Sequence, residues 1–183
     1  MVADEAHRLD QLIDSLLKFS RLSRAELQHR RCDLGEVMAA VREELAPAQG
    51  DRAVEWNFGP LPCVNGDPTL LRQVFSNLLG NALKYTRGRT PALIEVGELP
   101  APSGAKATKE HILFVRDNGA GFDPRYTSKL FGVFQRLHSA REFEGIGIGL
   151  ANVQRIVSRH GGRVWAEGAL GKGATFYVAL PRD

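Results

Sequence analysis

The segment from Gly145 to Leu150, inside GIGIGLANVQRIVSRHGG, constrains this chain most: three glycines at alternate positions run directly into an amphipathic helix. Glycine there carries no Cβ, accepts positive φ and lets backbone N–H groups approach an anion, while the following helix aims its positive dipole end at the same point. Such a segment can hold phosphate. A glycine-rich turn is also a common tight connection, so the rest of the sequence must decide between the two.

A chain of 183 residues, 43% hydrophobic and 25% charged, can bury one substantial core, which gives one main domain with an appendage. No apolar run is long enough to span a bilayer, and the N-terminus lacks the pattern of a secretion signal. The expected location is therefore cytoplasmic, with no direct membrane contact. The formal charge of +3 is small and its basic residues are scattered, which argues against a nucleic-acid partner. Cys32 and Cys63 form no CxxC pair, so neither a zinc site nor a redox dithiol is indicated and two reduced structural thiols are expected.

From Ala3 to about Gln28, Leu9, Leu12, Leu16 and Phe19 recur at spacings of three and four, with Ile13 and Leu17 widening the stripe. This predicts a bundle or coiled-coil helix that needs a partner helix, an ordinary surface helix being the alternative. The QHRR stretch reads as a connector. Asp33 then opens a helix through about Leu45, stopped by Pro47 and Gly50. Strands are predicted at Ala53 to Phe58, at Cys63 and Val64, at Ala92 to Glu98, at His111 to Arg116, at Arg163 to Glu167 and at Ala174 to Leu180. Asp67 before Pro68 signals the start of a long helix to about Tyr85. A short helical piece is expected around Ser128 to Phe134, and a longer helix from Leu150 to His160. The order of elements implies a mixed sheet covered on one face by helices.

On the helix after Asp67, Leu71, Val74, Phe75, Leu78 and Ala82 share a core face, whereas Asn77, Asn81, Lys84 and Tyr85 fall on a neighbouring polar face. An asparagine carbonyl is a neutral oxygen ligand suited to a hydrated Mg²⁺, and a lysine can neutralise phosphate. Two asparagines can also simply line a solvated edge. In VRDNGAGFD, Asp117 closes a predicted strand where the chain must turn, and its carboxylate could accept from the exocyclic amine of adenine, with Gly119 and Gly121 letting a ring lie close to the main chain. A plain Asp-Asn-Gly turn is the alternative.

Taken in order, NLLGNALKYT, DNGAGFD, KLFGVFQRLH and GIGIGLANVQRIVSRHGG resemble the N, G1, F and G2 boxes of sensor histidine kinases. The match is close from Asp67 to about Gly162 and extends through flanking strands from about Leu34 to Pro181. HRLDQLIDSLLKFSRLSR resembles the second helix of that family's dimerisation and phosphoacceptor hairpin, which divides the chain into 1–31 and a catalytic ATP-binding domain at 32–183. FQRLHSAREFEGIGIGLA looks like phytochrome-type and related PAS-linked kinases.

The resemblance implies a Bergerat ATP-binding fold, an α/β sandwich. It implies Mg²⁺ at Asn81, Asn77 in the same cleft, and Lys84 and Tyr85 on phosphate and nucleotide. Asp117 would read the adenine amine, Gly119 and Gly121 would shape the base pocket, and Phe131 and Phe134 would anchor the lid to the core. Arg136 would reach phosphate, and Gly145, Gly147, Gly149 and Leu150 would form the phosphate turn and the start of its helix. Asn77, Lys84 and Arg136 form the implied catalytic set.

The implied activity is transfer of the γ-phosphoryl group of ATP to a histidine, by positioning and charge neutralisation. None of His7, His29, His111, His138 or His160 is followed by the family's acid, apolar, basic and proline sequence, so the acceptor is expected before Met1. Implied partners are the parent's phosphoacceptor hairpin, a homodimer mate through the bundle helices, and a response regulator receiver domain. Two other readings stay open: a noncatalytic ATP-sensing module, and a chaperone- or repair-type ATPase. Against the second, Asn77 stands where those relatives carry a glutamate, and an amide cannot take a proton from water.

Overall fold

Two aspartates start two helices in the same way. Asp33 Oδ1 accepts from the backbone N–H of Gly35 and Glu36, and Asp67 Oδ1 from those of Thr69 and Leu70, filling donors that a helix leaves open at its first turn. In this computed structural model the described residues are 26–100, 109–135, 137, 143 and 146–182. The elements run β1 (Arg30–Asp33), α1 (Leu34–Gln49), β2 (Val54–Phe58), β3 (Cys63–Gly66), α2 (Pro68–Tyr85), β4 (Ala92–Glu98) and β5 (Glu110–Asp117). A 3₁₀ turn (Pro124–Lys129), α3 (Gly149–Arg159), β6 (Arg163–Ala169) and β7 (Gly173–Pro181) complete them. The expected bundle helix, Arg136, His138 and Gly145 lie outside the described residues, as does most of the loop before Lys109.

The main sheet has the order β2-β4-β5-β7-β6, with β2 parallel to β4 and the remaining pairs antiparallel. Alternation along its strands sends Ile94, Val96, Leu113, Val115, Phe176 and Val178 to the helical side. There they meet Leu71, Val74, Phe75, Leu78, Leu79 and Leu83 of α2 and Val153, Ile156 and Val157 of α3. α2 lies between α1 and α3. Each large apolar side chain buried this way contributes roughly 1.5–3 kcal/mol, so α2 with its seven buried residues is the spine of the layer. On the other face Trp165 stacks on Tyr177 with ring centroids 5.0 Å apart, and Arg116 pairs with Glu95.

Three local readings change. Arg30 and Arg31 belong to β1, which pairs antiparallel with β3 in the register Cys32↔Val64 and Asp33↔Cys63. Only Cys32 of that strand is buried, so no apolar alternation announces it. The register also sends Cys32 and Cys63 to opposite faces, and both are free thiols; burial pushes the Cys32 thiol up. α1 continues through Pro47 to Gln49, because in the last turn a proline forfeits only one ladder bond, and Gly50 closes the end. The short helical piece is a 3₁₀ turn that begins earlier, at Pro124, where Asp123 caps it as Asp67 caps α2.

Candidate functional site

α2 carries the centre of the site. Its residues Asn77, Asn81, Lys84 and Tyr85 run along one side for about 12 Å at 1.5 Å per residue. The Asn77 amide donates to the carbonyl of Gln73 at 2.8 Å, which turns its own oxygen toward Gly149: a Cβ there would lie 2.7 Å from Asn77 Oδ1. So the first turn of α3 abuts this end of the polar row. Asn81, one turn on, is half-buried. Lys84 Nζ lies 4.4 Å from the centre of the Tyr85 ring, which packs in a T-shaped pair with Phe143 at 4.8 Å between ring centroids.

At the other end of the row, the carbonyl of Tyr85 accepts from Ala120 N at 3.0 Å. That bond brings the loop after β5 against the end of α2. Asp117, the last residue of β5, is only 6% exposed. Burial pushes its carboxyl up to about 6, although hydrogen bonds from the backbone N–H groups of Gly119 and Ala174 oppose the shift. Its Oδ1 accepts from Gly119 at 2.8 Å. Gly119 could not carry a side chain, since a Cβ would lie 2.5 Å from the Tyr85 oxygen, and Gly121 has φ +64 with the Ala169 carbonyl filling the space of a Cβ. These two positions require glycine.

α3 begins without a side-chain cap, unlike α1 and α2: Ile148 precedes Gly149 and offers its first N–H groups no acceptor. Gly147, with φ +79, accepts at its carbonyl from Phe134 N at 2.9 Å, so the segment after the 3₁₀ turn meets the start of α3. Leu150 and Phe131 pack partly buried on the core. Phe134 departs from its expected role. Its φ is +61 and the residue is 49% exposed, and it is its main-chain N–H that holds the segment to Gly147.

The geometry therefore brings together the glycine loop after Asp117, the polar row of α2 and the uncapped start of α3. A family profile described as "Histidine kinase-, DNA gyrase B-, and HSP90-like ATPase" matches residues 66–183. The chain belongs to this family. Cyanobacterial phytochrome B of Nostoc sp. is 37% identical over 175 residues, covering 94% of this chain and 22% of the relative. The methanogenesis regulatory histidine kinase FilI of Methanothrix harundinacea is 34% identical over 185 residues, covering 99% of the chain and 20% of the relative. The chain thus spans about a fifth of these curated relatives. Full-length ShkA, solved in complex with AMPPNP, superposes with a TM-score of 0.76 at 28% identity over 97% of this chain and 36% of that one. The mycobacterial sensor histidine kinase MprB superposes with a TM-score of 0.68 at 25% identity, over 84% and 97%.

Several residues that tie these elements together gave no signal in the sequence. Asn118 accepts from Leu93 N and donates to the Pro91 carbonyl, so beside Asp117 it locks the strand end. Thr86 and Arg52 bind carbonyls in the last turn of α2. His160 accepts from Asp67 N at Nε2 and donates to the Ile156 carbonyl from Nδ1, which fixes its neutral tautomer and ties the end of α3 to the start of α2. Only the Asp-Pro cap of α2 among these features was readable in advance.

Proposed function

We propose that this chain is the ATP-binding catalytic domain of a two-component sensor histidine kinase, which binds Mg-ATP and passes the γ-phosphoryl group to a histidine outside residues 1–183. The observation that carries the reading is Asp117, a buried carboxylate at the end of β5 pushed up to about 6 and set beside Gly119 and Gly121, two positions that tolerate only glycine. An arriving exocyclic amine would give that carboxylate the donor that makes its charge favourable. The polar row of α2 leads from there to the uncapped start of α3, where N–H groups face the phosphate end.

Asn81 is the proposed Mg²⁺ ligand. An ion there would be held by one amide oxygen and by the nucleotide's own phosphates. When bound, Mg²⁺ would neutralise charge on the phosphates. Asn77 lines the cleft as an amide whose nitrogen is occupied by Gln73, so it offers no base for activating water. Lys84 and Arg136 would meet phosphate, and Gly145, Gly147 and Gly149 would wrap it. The domain would comprise residues 30–183, so that β1 is included whole. Its partners would be the phosphoacceptor hairpin of the parent, a second copy through the bundle helices, and a response regulator receiver domain. No described helix is long and apolar enough to cross a membrane.

The test is incubation with labelled ATP, alone and with an acceptor hairpin from the parent protein. Label on the hairpin's histidine and none on the lone chain is the expected result. Histidine labelling of the lone chain would contradict it, as would hydrolysis of ATP to free phosphate with no transfer.

A further inference from the structure

Beyond the end of α2 the chain makes a tight turn in which Arg89 N donates to the Thr86 carbonyl at 2.9 Å. That turn brings the Arg89 side chain back to the glycine loop. Its Nη2 lies 3.1 Å from the Gly119 carbonyl and 2.5 Å from the carbonyl of Gly171, in the turn between β6 and β7. Gly171 N in turn donates to the Ala120 carbonyl at 2.7 Å, and Ala120 N to the Tyr85 carbonyl. Three pieces of chain far apart in sequence, the end of α2, the loop after Asp117 and the β6–β7 turn, therefore meet around one half-buried guanidinium. Charge-assisted bonds from a planar, always protonated group are strong and directional, whereas a lysine would bring one compact tip to the same two carbonyls.

We propose that Arg89 is a positioning residue for the base pocket: it fixes the glycine loop relative to Asp117 and so sets the discrimination between adenine and other purines. The inference rests on the assignment of Asp117 as the group that reads the base. A carboxylate selects an amine over a carbonyl only if the ring is held in one register, and the Gly119 carbonyl that Arg89 grips belongs to the wall that would hold it. A brace with no part in recognition would change stability and leave base selectivity alone.

The test measures Kd for Mg-ATP and Mg-GTP on the full chain, with thermal unfolding of each variant alongside. Arg89→Ala is expected to weaken ATP about tenfold with little change for GTP, so that the ATP-to-GTP preference falls about tenfold, and Arg89→Lys is expected to recover part of it. Asp117→Asn is the control and should lose the preference altogether. If Asp117→Asn loses ATP while Arg89→Ala keeps wild-type affinity and preference, the role of Arg89 is overturned and the nucleotide site stands. If Asp117→Asn also binds ATP as the wild type does, both fall. Should Arg89→Ala not fold, Arg89→Lys decides: an undiminished preference overturns the inference and a reduced one supports it.

Discussion

Asp67 and Asp117 are both buried carboxylates at the end of an element, yet they live in opposite circumstances. Asp67 sits at the positive end of α2 and gives both oxygens to the protein: Oδ1 accepts from Thr69 and Leu70, and Oδ2 from Gln28 N. Asp117 sits at the end of a strand, where no helix dipole supports its charge. It takes backbone N–H groups from Gly119 and Ala174, and burial still pushes it up to about 6. The first carboxylate is satisfied by the fold. The second is held in an environment that disfavours its charge, which is what the proposed role in reading the base needs.

Substitution should separate the two most sharply. Asp117→Asn keeps an oxygen for Gly119 N but loses the charge, so ATP affinity should fall about a hundredfold by calorimetry. The same variant should be more stable at pH 7.5 by on the order of 2 kcal/mol in denaturant unfolding. The sign follows from the titration. The folded carboxyl titrates above the unfolded value of 3.8, so its contribution to stability is present at low pH and is lost as pH rises through about 6. Asp67→Ala should do the reverse: a loss of on the order of 2 kcal/mol of stability, with ATP affinity within about twofold of the wild type. If both variants lose stability and affinity together, the contrast is broken.

Acidification sharpens the comparison less strongly. Between pH 7 and pH 5 the Asp117 carboxylate takes up a proton, so ATP affinity should fall about tenfold, and the profile of Asp117→Asn should be flat. The smallest effect belongs to the Asp67 corner. Burial holds the His160 imidazole below its ordinary value, and its neutral Nε2 accepts from Asp67 N. A folded value lowered in this way gives stability that is present above about pH 6.5 and is lost as pH falls. His160→Gln, followed by thermal unfolding from pH 7.5 to pH 5, should remove that part of the pH dependence.

What the sequence revealed follows the same division. Asp67 with Pro68 announces α2 because capping is a local event, and the apolar period of α2 separates its core face from the row of Asn77, Asn81, Lys84 and Tyr85. The same Asp-Pro signal at Asp123 marks the 3₁₀ turn, which a search for apolar spacing places too late. β1 exists because β3 pairs with it, and Arg30 and Arg31 carry no trace of that pairing. Arg89 and His160 read as ordinary polar residues, since their partners lie 30 to 93 residues away. Phe134 is 49% exposed and has a left-handed backbone, a conformation that composition does not announce for phenylalanine.

The central claim is that the loop after Asp117, the polar row of α2 and the start of α3 face one nucleotide. Backbone and side-chain amide NMR during a Mg-ATP titration tests it most directly. The account predicts that Gly119, Gly121, Gly147, Gly149 and the side-chain amides of Asn77 and Asn81 shift together with a single Kd, while the Trp165 indole on the opposite sheet face stays put. Shifts confined to the Trp165 face, or no shift at the glycines at millimolar nucleotide, would contradict it.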